Sequence, residues 1–300
     1  TSEAENEETK TNIIDTEQLA LPSFDLFNVQ EVNERHISLN SLARMADHPL
    51  RCYYQQTLGL SFTALQPDTQ DSEPFSLNHL DSYQLKSDLA HSWGEALTQH
   101  SPQNEAKNAD KSVYQQWRLA DRFPRSPVDK IYYDDAQQSL STMQHYMSNL
   151  HGEFTLHPFE LKVGDEFVEA ELLASSTGCI ELSVGKNIAG RFFGIWVKHV
   201  FWNLHCQGRL GQGEGHVEQG VSRIITVDAL WTLPALDRSV AQQYAREILD
   251  LYISLEQHPT AFLAKCSFAA LFEKDSQVKS AFKGINFGGV SIQGERDDPY

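Results

Sequence analysis

Apolar positions recur with helical spacing from Ser38 onward: Leu39, Leu42, Ala43 and Ala46 fall at i, i+3, i+4 and i+7, and Pro49 sets a boundary after His48. A second helical stretch carries Tyr53, Tyr54 and Thr57, and the apolar run Leu58–Leu65 reads as a short strand. Polar segments rich in Gln, Asn and Asp at 66–74 and 97–112 read as loops, with helices predicted around 77–93 and 132–149. The period changes at Phe154. Phe159, Leu161 and Val163 alternate with polar residues, Gly164-Asp165 makes a hairpin turn, and the chain returns through Phe167–Ala174. It turns again at Ser175–Gly178 and runs out through Cys179–Val184, which completes a three-stranded antiparallel meander. Arg191–Cys206 is apolar on nearly every side, with Phe192, Ile195, Trp196 and Val200 on one face and Phe193, Val197, Phe201 and Leu204 on another. That pattern predicts a buried helix.

Residues 207–220 contain five glycines and read as a flexible loop, followed by predicted strands at 221–227 and 229–233. An amphipathic helix then uses Val240, Tyr244, Ile248, Leu251, Tyr252 and Leu255, opens on the capping signature Ser239-x-x-Gln242 and stops at Pro259. Ala261–Ala264 is predicted to return to the sheet. The order favours an α/β (α+β) core over residues 151–300 behind a mainly helical part at 21–150. Residues 1–20, where Glu3, Glu5, Glu7, Glu8, Asp15 and Glu17 face a single Lys10, have little to bury and are predicted to be disordered.

Charge narrows the function classes. Acids outnumber bases 41 to 24, a net charge of −17, whereas a surface that grips phosphates by itself is rich in Lys and Arg. Weak binding of isolated DNA is the expectation. Cys52, Cys179, Cys206 and Cys266 have neither metal-ligand nor redox spacing, which reads as a reduced, intracellular chain without an iron–sulfur cluster. No apolar run reaches the roughly 18–20 residues needed to span a bilayer. The acidic start has no secretion-signal order and no Met, so the chain reads as a piece of a longer one.

Acids crowd the meander at Asp165, Glu166, Glu169, Glu171 and Glu181. Nucleases of the PD-(D/E)xK type place one metal-binding acid on the second strand and another on the third, with a Lys two residues on to activate water. Here the third strand reads Glu181-Leu182-Ser183, with Ser in place of that Lys and Lys186 three residues late. The plain reading is a solvated outer strand face. The rival is an active metal-dependent PD-(D/E)xK DNA nuclease using Glu169 or Glu171 with Glu181, and a third reading is an unrelated acidic interaction domain. His199 and His205 do not share a helical face and have no HExxH around them, so no metal site is expected there. The glycine-rich loop at 208–220 lacks the Gly-Lys-Ser/Thr ending of a phosphate cradle, and no Gly-x-Ser-x-Gly elbow occurs. Aromatic helices could offer stacking platforms for single strands, but core packing is the ordinary use of such residues.

The segment Ile37–Phe62, with its helix ending in His48-Pro49-Leu50-Arg51 and then Tyr53-Tyr54, resembles a signature of the RecC family. The similarity continues at Glu73–Gln84, runs more weakly from Trp117-Arg118 through Phe123-Pro124 to Tyr133, and fits the helix at 238–256 and Gly294–Asp298. The chain departs from the family at Phe123–Val128, where a glycine-rich turn is usual. The resemblance implies a fold like the RecB nuclease domain that has lost its catalytic residues, with Leu172 near the second-strand metal Asp and Glu181 and Ser183 near the third-strand acid and Lys. It implies a non-catalytic subunit of the cytoplasmic RecBCD helicase–nuclease (exodeoxyribonuclease V) that binds RecB and RecD and touches DNA in the complex. No cofactor is implied in this chain, since ATP and Mg²⁺ are used by the partners.

Overall fold

In the computed structural model, the described residues are 35–60, 76–98, 102–150, 152–185, 188–210, 220–260, 262–287 and 290–293. The predicted disorder of residues 1–20, the loop at 66–74, residues 211–219 of the loop predicted at 207–220, and Lys186 lie outside them, while residues 207–210 of that predicted loop are helical.

The meander forms as predicted: β2 (Thr155–Val163), β3 (Glu166–Ser175) and β4 (Gly178–Leu182). Strict alternation along β2 puts Phe159, Leu161 and Val163 against the core, and the two-residue turn works because Gly164 takes φ 67, where a side chain would be strained. Helix α7 (Phe192–Leu210) then carries the chain over, so that β5 (Ser222–Ile225) lies parallel to β4, with β6 (Leu230–Leu233) antiparallel on the edge. A strand absent from the sequence reading, β1 (Arg35–Ser38), pairs in parallel with the first half of β3, Ile37 opposite Val168. The six-stranded sheet has the order β1-β3-β4-β5-β6, with β2 on the other side of β3.

Helices cover the sheet unequally. On one face lie α1 (Leu39–Asp47), α2 (Pro49–Gln56), α7 and α8 (Arg238–Leu255). There Leu39, Leu42 and Met45 share a core with Val168, Leu172, Val197, Phe201 and Leu249. That core joins residues from either side of the 150/151 division. On the other face, α3 (His79–Leu97), α4 (Pro102–Leu119), α5 (Val128–Ser139) and α6 (Ser141–Ser148) build a second core of Leu85, Leu89, Trp93, Trp117 and Met143. This core covers the β4–β5 end of the sheet and the adjoining end of β3, through Ile180, Ile225 and Leu173.

Several boundaries differ from the sequence reading. Residues 97–112 are not a loop throughout: α4 begins at Pro102, tied to α3 by Trp93 Nε1 donating to Asp110 at 2.6 Å and Trp117 Nε1 donating to Asp88 at 2.8 Å. A polar sequence is helical here because two indoles anchor it. Within Leu58–Leu65, residues 58–60 are not a strand, and the rest lies outside the described residues. The predicted 132–149 helix is two, α5 and α6, separated at Leu140. Asp237 rather than Ser239 stands at the start of α8. The buried stripe of α8 is Ala241, Ala245, Leu249, Tyr252 and Leu255, while Val240 and Tyr244 face outward. Ala241 and Ala245 let the first half of α8 lie close to its neighbours. The segment after Pro259 does not rejoin the sheet, but leads into α9 (Ala264–Phe272) and α10 (Asp275–Lys283), followed by a separate hairpin, β7 (Gly284–Phe287) and β8 (Val290–Gln293). Among the described residues, no helix is long and apolar enough to cross a membrane.

Candidate functional site

β3 and β4 are paired only beside their turn, at Ala174–Cys179 and Ser175–Gly178. They then part, β3 staying with β2 while β4 runs with β5. The resulting fork holds a cavity of about 360 Å³, lined by Glu171 and Leu172 of β3, Glu181 and Leu182 of β4, Glu95 of α3, and Arg191 and Lys198 beside and on α7.

Strand alternation decides which of the predicted positions meet. Leu172 and Cys179 pack with Val197 and Phe201 of α7, whereas Leu173, Ile180 and Leu182 join the α3–α6 core. Leu172, Glu181 and Ser183 therefore share the α7 face. Leu172 is buried and offers no metal ligand. Glu181 is bound by Lys198, whose Nζ donates to both carboxylate oxygens at 2.9 and 3.0 Å. Ser183 is 2% exposed; its backbone N–H donates to the Ile225 carbonyl, and its hydroxyl has no hydrogen-bond partner among the described residues. Glu169 is not part of the fork. It sits on the open sheet face with its carboxylate against His36 Nδ1 at 2.6 Å. Glu171 is exposed and lines the fork cavity.

Two functional-looking groups escaped the sequence reading. Lys198 is a cation set in the most apolar stretch of α7, between Val197 and Val200, a signal that a partner acid awaits it. Asp47 ends α1 and accepts the Gly194 N–H at 2.7 Å, at the start of α7. Burial pushes its carboxyl up to about 6, against the lowering influence of that N–H, Arg191 and Lys198. Gly194 has to be glycine, because any Cβ would run into the Asp47 carboxylate and the Ala43 carbonyl.

Behind the fork, α7 carries a buried polar network. His199 Nδ1 meets Ser222 Oγ at 2.7 Å, Ser222 meets Cys179 Sγ at 2.9 Å, and Asn203 Nδ2 donates to the carbonyls of His199 and Gly220. Asn203 Oδ1 accepts the Leu236 N–H at 2.8 Å. Burial pulls His199 down to about 4 and pushes the Cys179 thiol up to about 12. These groups are consumed in tying α7 to β4, β5 and the start of α8. His205 lies elsewhere, stacked on Phe159 at 4.4 Å.

Comparison with known proteins places this arrangement in a family. The sequence profile of the RecC C-terminal domain matches residues 34–275. The chain is 21% identical over 277 residues to the RecBCD enzyme subunit RecC of Escherichia coli (strain K12), covering 87% of this chain and 23% of that protein. It is 20% identical over 246 residues to the same subunit of Haemophilus influenzae (strain Rd), covering 78% of this chain and 20% of that protein. The chain thus spans about a fifth to a quarter of the length of these relatives. Among solved structures, the crystal structure of SSO0001 aligns with 82% of this chain and 88% of its own at 14% identity, with a TM-score of 0.27, too low to argue from. By its profile match over most of its length, the chain belongs to the RecC C-terminal domain family.

Proposed function

We propose that this chain is a nuclease-like but non-cleaving part of a RecC-type subunit in a RecBCD-type complex of double-strand break repair. Its role there is to hold RecB- and RecD-type subunits and to help split the duplex and channel its strands. What supports this is the state of the fork: at the positions that the resemblance sets near the acid, acid and lysine of a PD-(D/E)xK enzyme are a buried Leu172, a Glu181 bound by Lys198, and a buried Ser183. Metal-assisted hydrolysis requires ligands that converge on an ion and a group that activates water. One carboxylate already neutralised by an ammonium supplies neither. The meander, the α7 crossover and the parallel β4–β5 pair support a degenerate nuclease frame. ATP hydrolysis and Mg²⁺-dependent cleavage then fall to the partner subunits, in the cytoplasm.

Two measurements test the reading. Incubated with linear single- and double-stranded DNA and Mg²⁺ or Mn²⁺, the purified chain is expected to leave both intact; cleavage that disappears in Glu181→Ala overturns the non-cleaving role. Co-expressed with the RecB and RecD proteins of its own organism, it is expected to be retained by at least one. Retention by neither, with unchanged hydrogen exchange on mixing, removes the assembly role. With a charge of −17, the chain alone is expected to bind DNA no better than about 10⁻⁴–10⁻⁶ M, falling steeply with salt.

A further inference from the structure

On the open face of the sheet, Glu160 of β2 and Glu169 of β3, set opposite each other by their hairpin, and His36 of β1, far from both in sequence, bring one donor atom each within 4.8 Å of the others. Strand register makes this arrangement unusual. Glu160 stands directly opposite Glu169 on the neighbouring antiparallel strand, and like charges so placed repel. A β-sheet normally sets a cation or a neutral residue opposite a carboxylate; here a second carboxylate is there, and both turn toward one imidazole nitrogen. His36 Nδ1 lies 2.6 Å from Glu169 Oε1 and 3.2 Å from Glu160 Oε1. The His36 ring is held flat by stacking on Phe167, at 5.3 Å between centroids and 13° between planes. Three adjacent strands, rather than loops, therefore fix the three donors.

We propose that His36, Glu160 and Glu169 form a binding site for a first-row divalent cation of the Zn²⁺ or Mn²⁺ class. One imidazole nitrogen and two carboxylates is a donor set such ions accept, with water filling the remaining positions. A divalent ion between the two carboxylates relieves the Glu160–Glu169 repulsion. Room for its waters is present: a concavity of about 580 Å³ opens on Glu160 and Glu169 and is also lined by Ser38, Asn40 and Glu171. Bound there, the ion clamps the four-residue strand β1 to the β2–β3 hairpin. The fork plays no part, because Glu181 lies on the opposite sheet face bound to Lys198; the cation site and the non-cleaving role can fail separately.

Mn²⁺ titration of the whole chain, followed by the electron paramagnetic resonance of the free ion, tests the site, with Zn²⁺ as competitor. One Mn²⁺ is expected to bind and to be displaced by Zn²⁺, which the ordinary order of divalent affinities favours. His36→Ala and Glu169→Gln each weaken binding at least about tenfold with unchanged circular dichroism, as expected for loss of one ligand. Glu181→Gln leaves binding unchanged. Saturating Zn²⁺ raises the melting temperature of the unaltered chain but not that of His36→Ala, because a ligand of the folded state stabilises it. No saturable binding up to about 1 mM, an affinity of only about 4 kcal/mol, overturns the site. So does binding that survives both substitutions, or binding lost in Glu181→Gln alone.

Discussion

The two halves of β3 share one alternating pattern and meet opposite surroundings. Over Glu166–Glu169 the strand lies between β1 and β2, with one face on the α1–α7–α8 core and the other open to water. Over Leu172–Ser175 it keeps β2 on one side, meets β4 on the other only at Ala174 and Ser175, and has helices over both faces. In the open half, charges crowd together: His36, Glu160, Lys162 and Glu169 share the face, and water screens them. In the covered half, the ionisable groups near the strand have partners, Glu181 with Lys198, His199 with Ser222, and Asp47 with Gly194, while the Ser183 hydroxyl has none among the described residues. Covering, rather than strand pattern, decides whether an acid needs a partner. That explains why Glu181, at the covered fork, is supplied with a cation by Lys198.

The comparison is broken hardest from the covered side. Phe201→Ala, at a fully buried position beneath the sheet, is expected to cost about 3–5 kcal/mol in urea or guanidinium unfolding. Next comes pH. Asp47 has its carboxyl raised from 3.8 to about 6, so the folded state carries a penalty above pH 6 that is relieved as pH falls toward 3.8. His199, held near 4 rather than 6.5, acts in the opposite direction, and stability is lost as pH falls from 6.5 toward 4. The two slopes offset each other over the shared window. Asp47→Asn keeps an acceptor for Gly194 and is expected to be more stable than the unaltered chain by about 1–3 kcal/mol near neutral pH. That advantage should vanish near pH 4, and the acid-labile slope of His199 should stand alone; urea midpoints across this range check both.

Lys198→Met sharpens the contrast at the fork. It strands a half-buried carboxylate and is expected to cost about 1–2 kcal/mol, most of which Glu181→Gln restores in the double variant. A double-mutant cycle in which the second change restores nothing would mean that water alone satisfies Glu181. On the open half, Glu169→Gln without added metal is expected to change stability by less than about 0.5 kcal/mol, the usual scale for a screened surface charge. A cost above about 1 kcal/mol would show that the open face is not equivalent to solvent.

Much was legible in the order of residues. The turns at Gly164-Asp165 and Ser175–Gly178, the alternation of β2 and the apolar surface of α7 are local patterns, written in the spacing of neighbours, and each produced the element it predicted. The blocks at Ile37–Phe62 and Glu73–Gln84 pointed to the family that the profile match shows. What only the tertiary structure decided depends on residues far apart in the chain. Four residues cannot display a period, so β1 exists because β3 offers it an edge. α4 is helical because Trp93 and Trp117 bind acids across its contact with α3, and the outward turn of Val240 and Tyr244 follows from Ala241 and Ala245 packing inward. The Lys198 clamp on Glu181 and the arrival of His36 beside the hairpin pair Glu160 and Glu169 have no fixed spacing at all. Folding brings such groups together by closing long loops, and the partner of a charge is then set by which strand lies beside it rather than by which residue follows it.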